Sequence, residues 1–340
     1  MRVPSLFLRW GTSIVLLMLL LSGTYWLLSR RSDDGVSTSV PLVKIDTREV
    51  VAGTLPPEAA DPQGLASGQA LRVAVAAMIS PEKTRSCYEA LLQAIGKKMG
   101  RQVDIVQKKT YAEVNEMVEG KKLDFAFVCS GPYTQGKRKF GMEILVVPVC
   151  HGRKVYYSYI IASKASPAAS LDDLRGKAFA FTDPNSNTGC LVPRYMLSLK
   201  GMTAEAFFKE TSFTYSHDNS IKAVAEGVVD GAAVDSLIWE YIDATDPSWT
   251  SRTKIIEKSP PFGIPPIVVH PAINQVLKGE LRNVLLDLHK TPEGAALLGK
   301  IGVDRFEEGE DASYDSIRTM QDWLDKQDGK SPIAENRGRP

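Results

Sequence analysis

Four cysteines and four histidines are all that this chain of 340 residues offers to soft metals and to imidazole chemistry. Cys87, Cys129, Cys150 and Cys190 form neither a CxxC pair nor a zinc-ligand spacing. His151, His217, His270 and His289 are widely scattered, with no HExxH, and neither a GxSxG nor a Walker sequence occurs. These gaps argue against the common zinc sites, the serine-hydrolase elbow and the P-loop, and no resident metal or cofactor is expected. Excess charge is lacking too: the formal net charge is +1, and no basic surface suited to nucleic acid stands out. Nor is there an internal repeat of solenoid type.

Acidic residues are absent from positions 1–31, which hold four arginines; the remainder carries 37 basic and 40 acidic residues, a net of −3. Within that end, residues 10–29 are uncharged, with Trp10, Tyr25 and Trp26 towards the ends of the run and Arg30-Arg31 after it. At about 1.5 Å per residue the run just spans a hydrocarbon core of about 30 Å. It is longer than a signal-peptide core, no small-x-small cleavage site follows it, and no cysteine stands there for a lipid. The reading is an uncleaved anchor over residues 1–31, a single pass through the inner membrane with the globular part in the periplasm or another extracytoplasmic space. Residues 32–69, with Asp33-Asp34-Gly35, Pro56-Pro57 and Asp61-Pro62-Gln63-Gly64, lack periodicity and read as a flexible linker, with ends roughly 30–40 Å apart. In an exported chain the even cysteine count permits disulfides, but Cys129 and Cys150 close apolar runs, as buried free thiols do.

From residue 70 onward strand and helix alternate. Strands are expected at 71–77, 103–107, 123–129, 144–149 and 155–162, and helices at 81–99 and 111–119. After 162 the pattern restarts with 171–174, 178–181, a helix at 191–199, a strand at 213–215, a helix at 219–226, a strand at 231–234 and a helix from 236. Residues 259–266, Ser-Pro-Pro-Phe-Gly-Ile-Pro-Pro, break all periodicity before 267–269 and helices at 280–288 and 314–326. The expectation is an α/β chain of two lobes, 70–160 plus 265–340 and 165–258. Right-handed crossovers gather the loops that follow parallel strands along one edge.

Those loops carry polar groups. Ser80 and Thr84 stand at a helix start after the first strand; Ser130, Gly131 and Tyr133 follow the strand at 123–129. Ser186, Asn187, Thr188 and Gly189 lie where an apolar run turns into a helix with Pro193 in its first turn. Free backbone N–H groups and the positive end of a helix favour an anion there. An ordinary cap of Ser, Asn and Thr has the same composition, so the residues alone leave both readings standing. His217, within Ser216-His217-Asp218-Asn219-Ser220, is open to a ligand or to plain capping, and Asp235 to a ligand or to an N-cap. Tyr133 is open to ligand contact or packing, and of the strand neighbours Tyr156 and Tyr157 only one reaches the cleft.

Taken as a set, Asp183-Pro184-Asn185-Ser186-Asn187-Thr188-Gly189, Ser216–Ser220, Val229-Asp230-Gly231-Ala232-Ala233-Val234-Asp235-Ser236, Leu123-Asp124-Phe125-Ala126-Phe127 with Gly131-Pro132-Tyr133, and Tyr156-Tyr157-Ser158 resemble the phosphate-, phosphite- and phosphonate-binding proteins of ABC transporters. The resemblance covers roughly residues 70–300. It implies a two-lobed periplasmic-binding-protein fold that closes over a small phosphorus oxyanion and delivers it to a transport permease. A membrane signalling partner is the alternative within the same class, and an enzyme on the same fold, with Cys190 and His217 as its only nucleophile–base pair, the alternative outside it. In the implied site Ser186, Asn187, Thr188 and Gly189 hold the oxyanion and His217 donates to one oxygen. Ser80, Thr84, Ser130, Gly131, Tyr133 and Tyr157 complete the contacts, and Asp235 faces the ligand's organic or amino substituent.

Overall fold

The computed structural model describes residues 70–328; the expected membrane run and linker lie outside the described residues. Thirteen strands fall into two main sheets and one short ladder. In chain order they are β1 Leu71–Val75, β2 Val103–Val106, β3 Phe125–Phe127, β4 Glu143–Val149, β5 Val155–Tyr156, β6 Ser158–Ser163, β7 Ala178–Phe181, β8 Glu210–Phe213, β9 Gly231–Asp235, β10 Thr253–Lys258, β11 Phe262–Gly263, β12 Ile267–Val269 and β13 Arg305–Glu307.

The first sheet has the order β13-β4-β12-β3-β1-β2, with β1 parallel to β2 and β3 and the returning β12 antiparallel to β3 and β4. Its two central strands, β3 and β12, are apolar throughout because both faces are covered. Leu71, Val73 and Val75 pack on one face with Leu91, Leu92, Ile95 and Leu281, while Ala74 and Ala126 pack on the other with Tyr111, Val114 and Tyr314. This is the period-two alternation of a strand applied to two cores. The second sheet has the order β10-β6-β9-β7-β8, with β7 parallel to β8 and β9 and with β6 antiparallel to its neighbours β9 and β10. The two crossings between the sheets pair with each other, β5 with β11, Tyr156 opposite Phe262 and Val155 opposite Gly263.

Several helices begin where the sequence supplies caps or a first-turn proline. They are α1 Pro81–Lys98, α2 Tyr111–Glu119, α3 Ser130–Phe140, α4 Val192–Leu199, α5 Ala204–Phe207, α6 His217–Ala225, α7 Ser236–Thr245, α8 Gln275–Asp287, α9 Pro292–Gly299 and α10 Asp315–Asp328. Pro81 opens α1, and Thr110 with Glu113 forms a reciprocal capping box at α2. Asp235 caps α7 by accepting from Leu237 N–H at 2.7 Å.

Three expectations change. The single strand expected over 155–162 is broken at Tyr157. The chain there exchanges the crossing ladder for the second sheet, and the backbone N–H and C=O of Tyr157 both turn to Ser236. The strand at 158–163 therefore belongs to the second sheet. Residues Leu171–Leu174 form a 3₁₀ turn. Among the elements without an expectation are β10 and β13, sheet-edge strands rich in charge, and α9, capped by Thr291. All four cysteines are free thiols, three of them buried. Among the described residues no helix is long and apolar enough to cross a membrane.

Candidate functional site

The carboxyl edges of the two sheets face each other, and their loops touch. The Cα of Gly131, at the start of α3, lies so close to the second lobe that a Cβ there would stand 2.4 Å from Asn185 O and 3.1 Å from Asn187 N. Only glycine permits this approach. His217 N–H donates to Met78 O at 3.0 Å, joining the start of α6 to the loop after β1. Two carboxylates of the second lobe reach helix starts of the first: Asp218 Oδ1 accepts from Ser80 N–H at 2.9 Å and Asp183 Oδ2 from Tyr111 N–H at 3.1 Å. Each meets an otherwise unpaired donor at the positive end of a helix.

The segment Asn187–Leu191 forms one wide π turn leading into α4. Ser186 caps it by accepting from Gly189 N–H at 3.0 Å. Gly189 is packed so tightly that a Cβ would lie 2.5 Å from Thr182 Oγ1. Ser158 Oγ donates to Thr188 O at 2.6 Å. The turn is thus fixed by its own cap and by the neighbouring strand, which leaves the Thr188 hydroxyl free of structural duty.

On the facing loop Tyr215 adopts a left-handed backbone with φ 59° and donates to Thr182 O at 2.7 Å. A bulky residue in that region costs about 1–3 kcal/mol and persists where surrounding contacts demand it. The turn delivers Ser216 and His217, both fully buried, to the start of α6. Asp235 N–H donates to His217 Nδ1 at 3.0 Å, and Thr182 Oγ1 lies 3.1 Å from the same nitrogen. Since a backbone N–H only donates, Nδ1 is the bare nitrogen, and the proton of the neutral ring sits on Nε2. Burial pushes the imidazole down to about 3, so the ring stays neutral.

Five buried polar atoms of these loops have no protein partner: Tyr111 Oη, Asn187 Oδ1, Thr188 Oγ1, Ser216 Oγ and His217 Nε2. Four carry a hydrogen to donate. Asn187 Nδ2 donates to Tyr156 Oη at 3.0 Å; a half-turn of the amide lets Tyr156 donate instead and frees the NH₂ as a fifth donor. Among the described residues gathered here none is Lys or Arg. Uncharged donors in a dry enclosure suit an oxyanion and do not suit a cation. Among the described residues no group of three His, Cys, Asp or Glu side chains is placed to hold a metal.

The structure brings together Ser130, Gly131, Ser186, Asn187, Thr188, Gly189, His217 and Asp235. Ser130 commits its hydroxyl to Gly263 O at 2.7 Å. Ser80 offers its backbone N–H to Asp218, and Thr84 Oγ1 is bound to Ile79 O at 3.1 Å, so both support the start of α1. Two expectations are corrected. Tyr133 donates its hydroxyl to Asp311 and packs on Tyr314 with ring centres 4.6 Å apart, because α3 turns it towards the end of the chain. Of the tyrosine pair, Tyr156 reaches the turn, while Tyr157 carries Lys258 Nζ 3.6 Å above its ring. Tyr111, Ser216 and Tyr156 were not among the expected contacts. Ser216 belongs to the Ser216–Ser220 motif, whereas Tyr111 reads in sequence as an apolar helix residue.

Residues 73–314 match the family described as ABC transporter, phosphonate, periplasmic substrate-binding protein. The phosphonates-binding periplasmic protein of Escherichia coli K12 is 26% identical over 268 residues, 77% of this chain and 79% of that protein. Among solved structures, a binding protein component of an ABC phosphonate transporter from Pseudomonas aeruginosa is 25% identical with a TM-score of 0.71, covering 74% of this chain and 85% of that one. PhnD1 of Prochlorococcus marinus, in complex with methylphosphonate, shares the fold at 21% identity and a TM-score of 0.69, covering 76% and 98%.

The neutral His217 has a consequence for stability. Its folded value, about 3, lies below the ordinary 6.5, so between those values the unfolded chain binds the extra proton. The stability this contributes is whole above about pH 6.5 and is lost as pH falls towards 3. His217→Gln removes the group. The melting temperature of the variant is expected to drop less than that of the wild type between about pH 7 and about pH 4; equal drops would show that the ring is not held neutral.

Proposed function

The chain belongs to the family of periplasmic substrate-binding proteins of phosphonate ABC transporters, and from that premise we propose which of its residues hold the ligand and how the lobes serve capture. It is a binding protein and not an enzyme, and it captures a small phosphorus oxyanion for a transporter. The observation that carries the site is the set of buried donors without protein partners: Tyr111 Oη, Thr188 Oγ1, Ser216 Oγ and His217 Nε2–H. A phosphonate or phosphate dianion loses its hydration on entry and needs many preorganised donors in return. Each charge-assisted hydrogen bond contributes roughly 1.5–3 kcal/mol, so four are enough for tight binding without a full positive charge.

The lobes divide at Tyr157 and at the crossing 259–266, and the β5–β11 ladder is the hinge. Opening breaks the contacts of Asp183 with α2, Asp218 with α1 and His217 with Met78, and exposes the donors to water. A ligand that bridges Tyr111 of one lobe and Thr188, Ser216 and His217 of the other favours the closed form, and the closed form is what the permease reads. On sequence grounds residues 10–29 keep the protein attached to the membrane. A mature N-terminus beyond residue 29, found by sequencing the exported protein, would rule the anchor out.

The grip is tested by calorimetry of Tyr111→Phe, Thr188→Ala and His217→Ala against phosphate, phosphite and methylphosphonate. Loss of one donor is expected to weaken binding about 10- to 150-fold. If the wild type binds one of these anions and all three variants bind it equally well, the oxyanion sits elsewhere.

A further inference from the structure

The helices that cover the two sheets also meet each other across the seam between the lobes, and they do so on both faces. On the first sheet α1 packs one face through Leu91 and Ile95, and α10 packs the other through Ile317 and Met320. On the second sheet α4 packs one face through Leu197, beside Phe179, and α6 the other through Ile221, beside Ala180. The helix α1 meets the α6–α7 side of the second lobe, and α10 meets α4. Each of these two meetings is made by a tryptophan.

On the first face Lys83 of α1 holds its Nζ 4.6 Å from the ring centre of Trp249, which follows α7 in the second lobe. Lys222 of α6 also lies over that ring, at 5.5 Å, but belongs to the same lobe as Trp249. One turn along α1, Cys87 Sγ touches Tyr241 Oη at 3.4 Å, so positions four apart turn one helix face to the second lobe. On the other face α10 is tied to α3 of the first lobe: Thr134 Oγ1 donates to Gln321 Oε1 at 3.0 Å, and Arg138 donates to Asp322 at 2.6 Å. The next residue, Trp323, reaches across to α4. Its Nε1–H donates to Ser198 Oγ at 2.9 Å, and its ring stands edge-on to Tyr195 with centres 6.2 Å apart. Trp323 is 39% exposed and Lys83 is half-buried, so both contacts lie at the rim of the seam, where water takes their place when the lobes part.

We propose that Trp323 on Ser198 and Tyr195, and Lys83 on Trp249, are two clasps that form when the lobes close, and that they set how tightly and how long the protein holds its ligand without touching it. The proposal rests on capture by lobe closure as described above. The affinity a ligand shows includes the free energy of the closing step. An edge-on aromatic pair with its hydrogen bond on one face, and a cation over an indole on the other, both favour the closed form. None of these side chains belongs to the set of unpartnered donors. The clasps therefore act alike on every oxyanion: they change the strength of binding and leave the choice of ligand to the donors. The two share no residue, so their effects add.

The test uses the full chain with Lys83→Met, which keeps the stem and removes the charge, with Trp323→Ala, and with both together. Calorimetry and stopped-flow release are measured for phosphate, phosphite and methylphosphonate, and thermal melting without ligand. Each single variant is expected to weaken binding of the anion the wild type takes by about 3- to 10-fold, mainly through faster release, and the double variant by the product, about 10- to 100-fold. The order of preference among the three anions should stay that of the wild type, and the melting temperature without ligand should move by no more than about 2 °C. Trp323→Phe, which keeps a ring and lacks the N–H, should recover part of the loss. Unchanged affinity and release in the double variant overturn the clasps and leave the oxyanion site intact. So does a fall in the melting temperature without a change in affinity, which would show that α10 moves with the second lobe, and so does a changed order of preference. Failure of the wild type to bind any of the three anions overturns capture of an oxyanion and the clasps with it.

Discussion

A buried donor that finds no acceptor is among the more expensive features a folded chain can carry, at about 1–3 kcal/mol each. Tyr111, Thr188, Ser216 and His217 carry four such donors on segments that meet where the lobes touch, and the surrounding structure is arranged to keep them unpaired. Ser186 and Ser158 take over the structural bonds of the turn, so the Thr188 hydroxyl is spared. Asp235 and Thr182 occupy His217 Nδ1, so the proton is on Nε2. Tyr215 accepts a strained backbone to aim Ser216 and His217. The closed geometry makes sense when an acceptor of matching shape completes these bonds.

The same economy of charge marks the contact between lobes. Asp183 and Asp218 of the second lobe meet unpaired N–H groups at helix starts of the first. They need no basic partner, because the helix ends supply the complementary potential. A permanent ion pair in that position would hold the lobes together regardless of ligand. Hydrogen bonds to helix ends are exchanged for water more cheaply, which keeps opening and closing within reach of a ligand's binding energy. Gly131 lets the lobes approach where any Cβ would collide with Asn185 O.

Much of this was legible in the sequence. The apolar run 178–181 followed by hydroxyls, amide and glycine marks a strand feeding a helix, and the structure has that order at β7, the π turn and α4. The restart of the pattern after 162 and the prolines at 259–266 point to two lobes joined by crossings. What was not legible depends on distant partners. Tyr156 and Tyr157 are equivalent as a strand pair; Asn187, 31 residues away, is what singles out Tyr156. Tyr133 looked like a ligand residue until Asp311, 178 residues on, took its hydroxyl. Tyr111 sits inside a capping box and reads as core, and nothing in its own segment marks its hydroxyl as one left without a partner. The edge strands β10 and β13 carry too much charge to stand out by periodicity.

The most direct measurement is a crystal structure of the protein with methylphosphonate. Phosphonate oxygens should lie within about 3.2 Å of Thr188 Oγ1, Ser216 Oγ, His217 Nε2 and Tyr111 Oη. A phosphorus atom bound elsewhere, with those four atoms still lacking partners, would contradict the account.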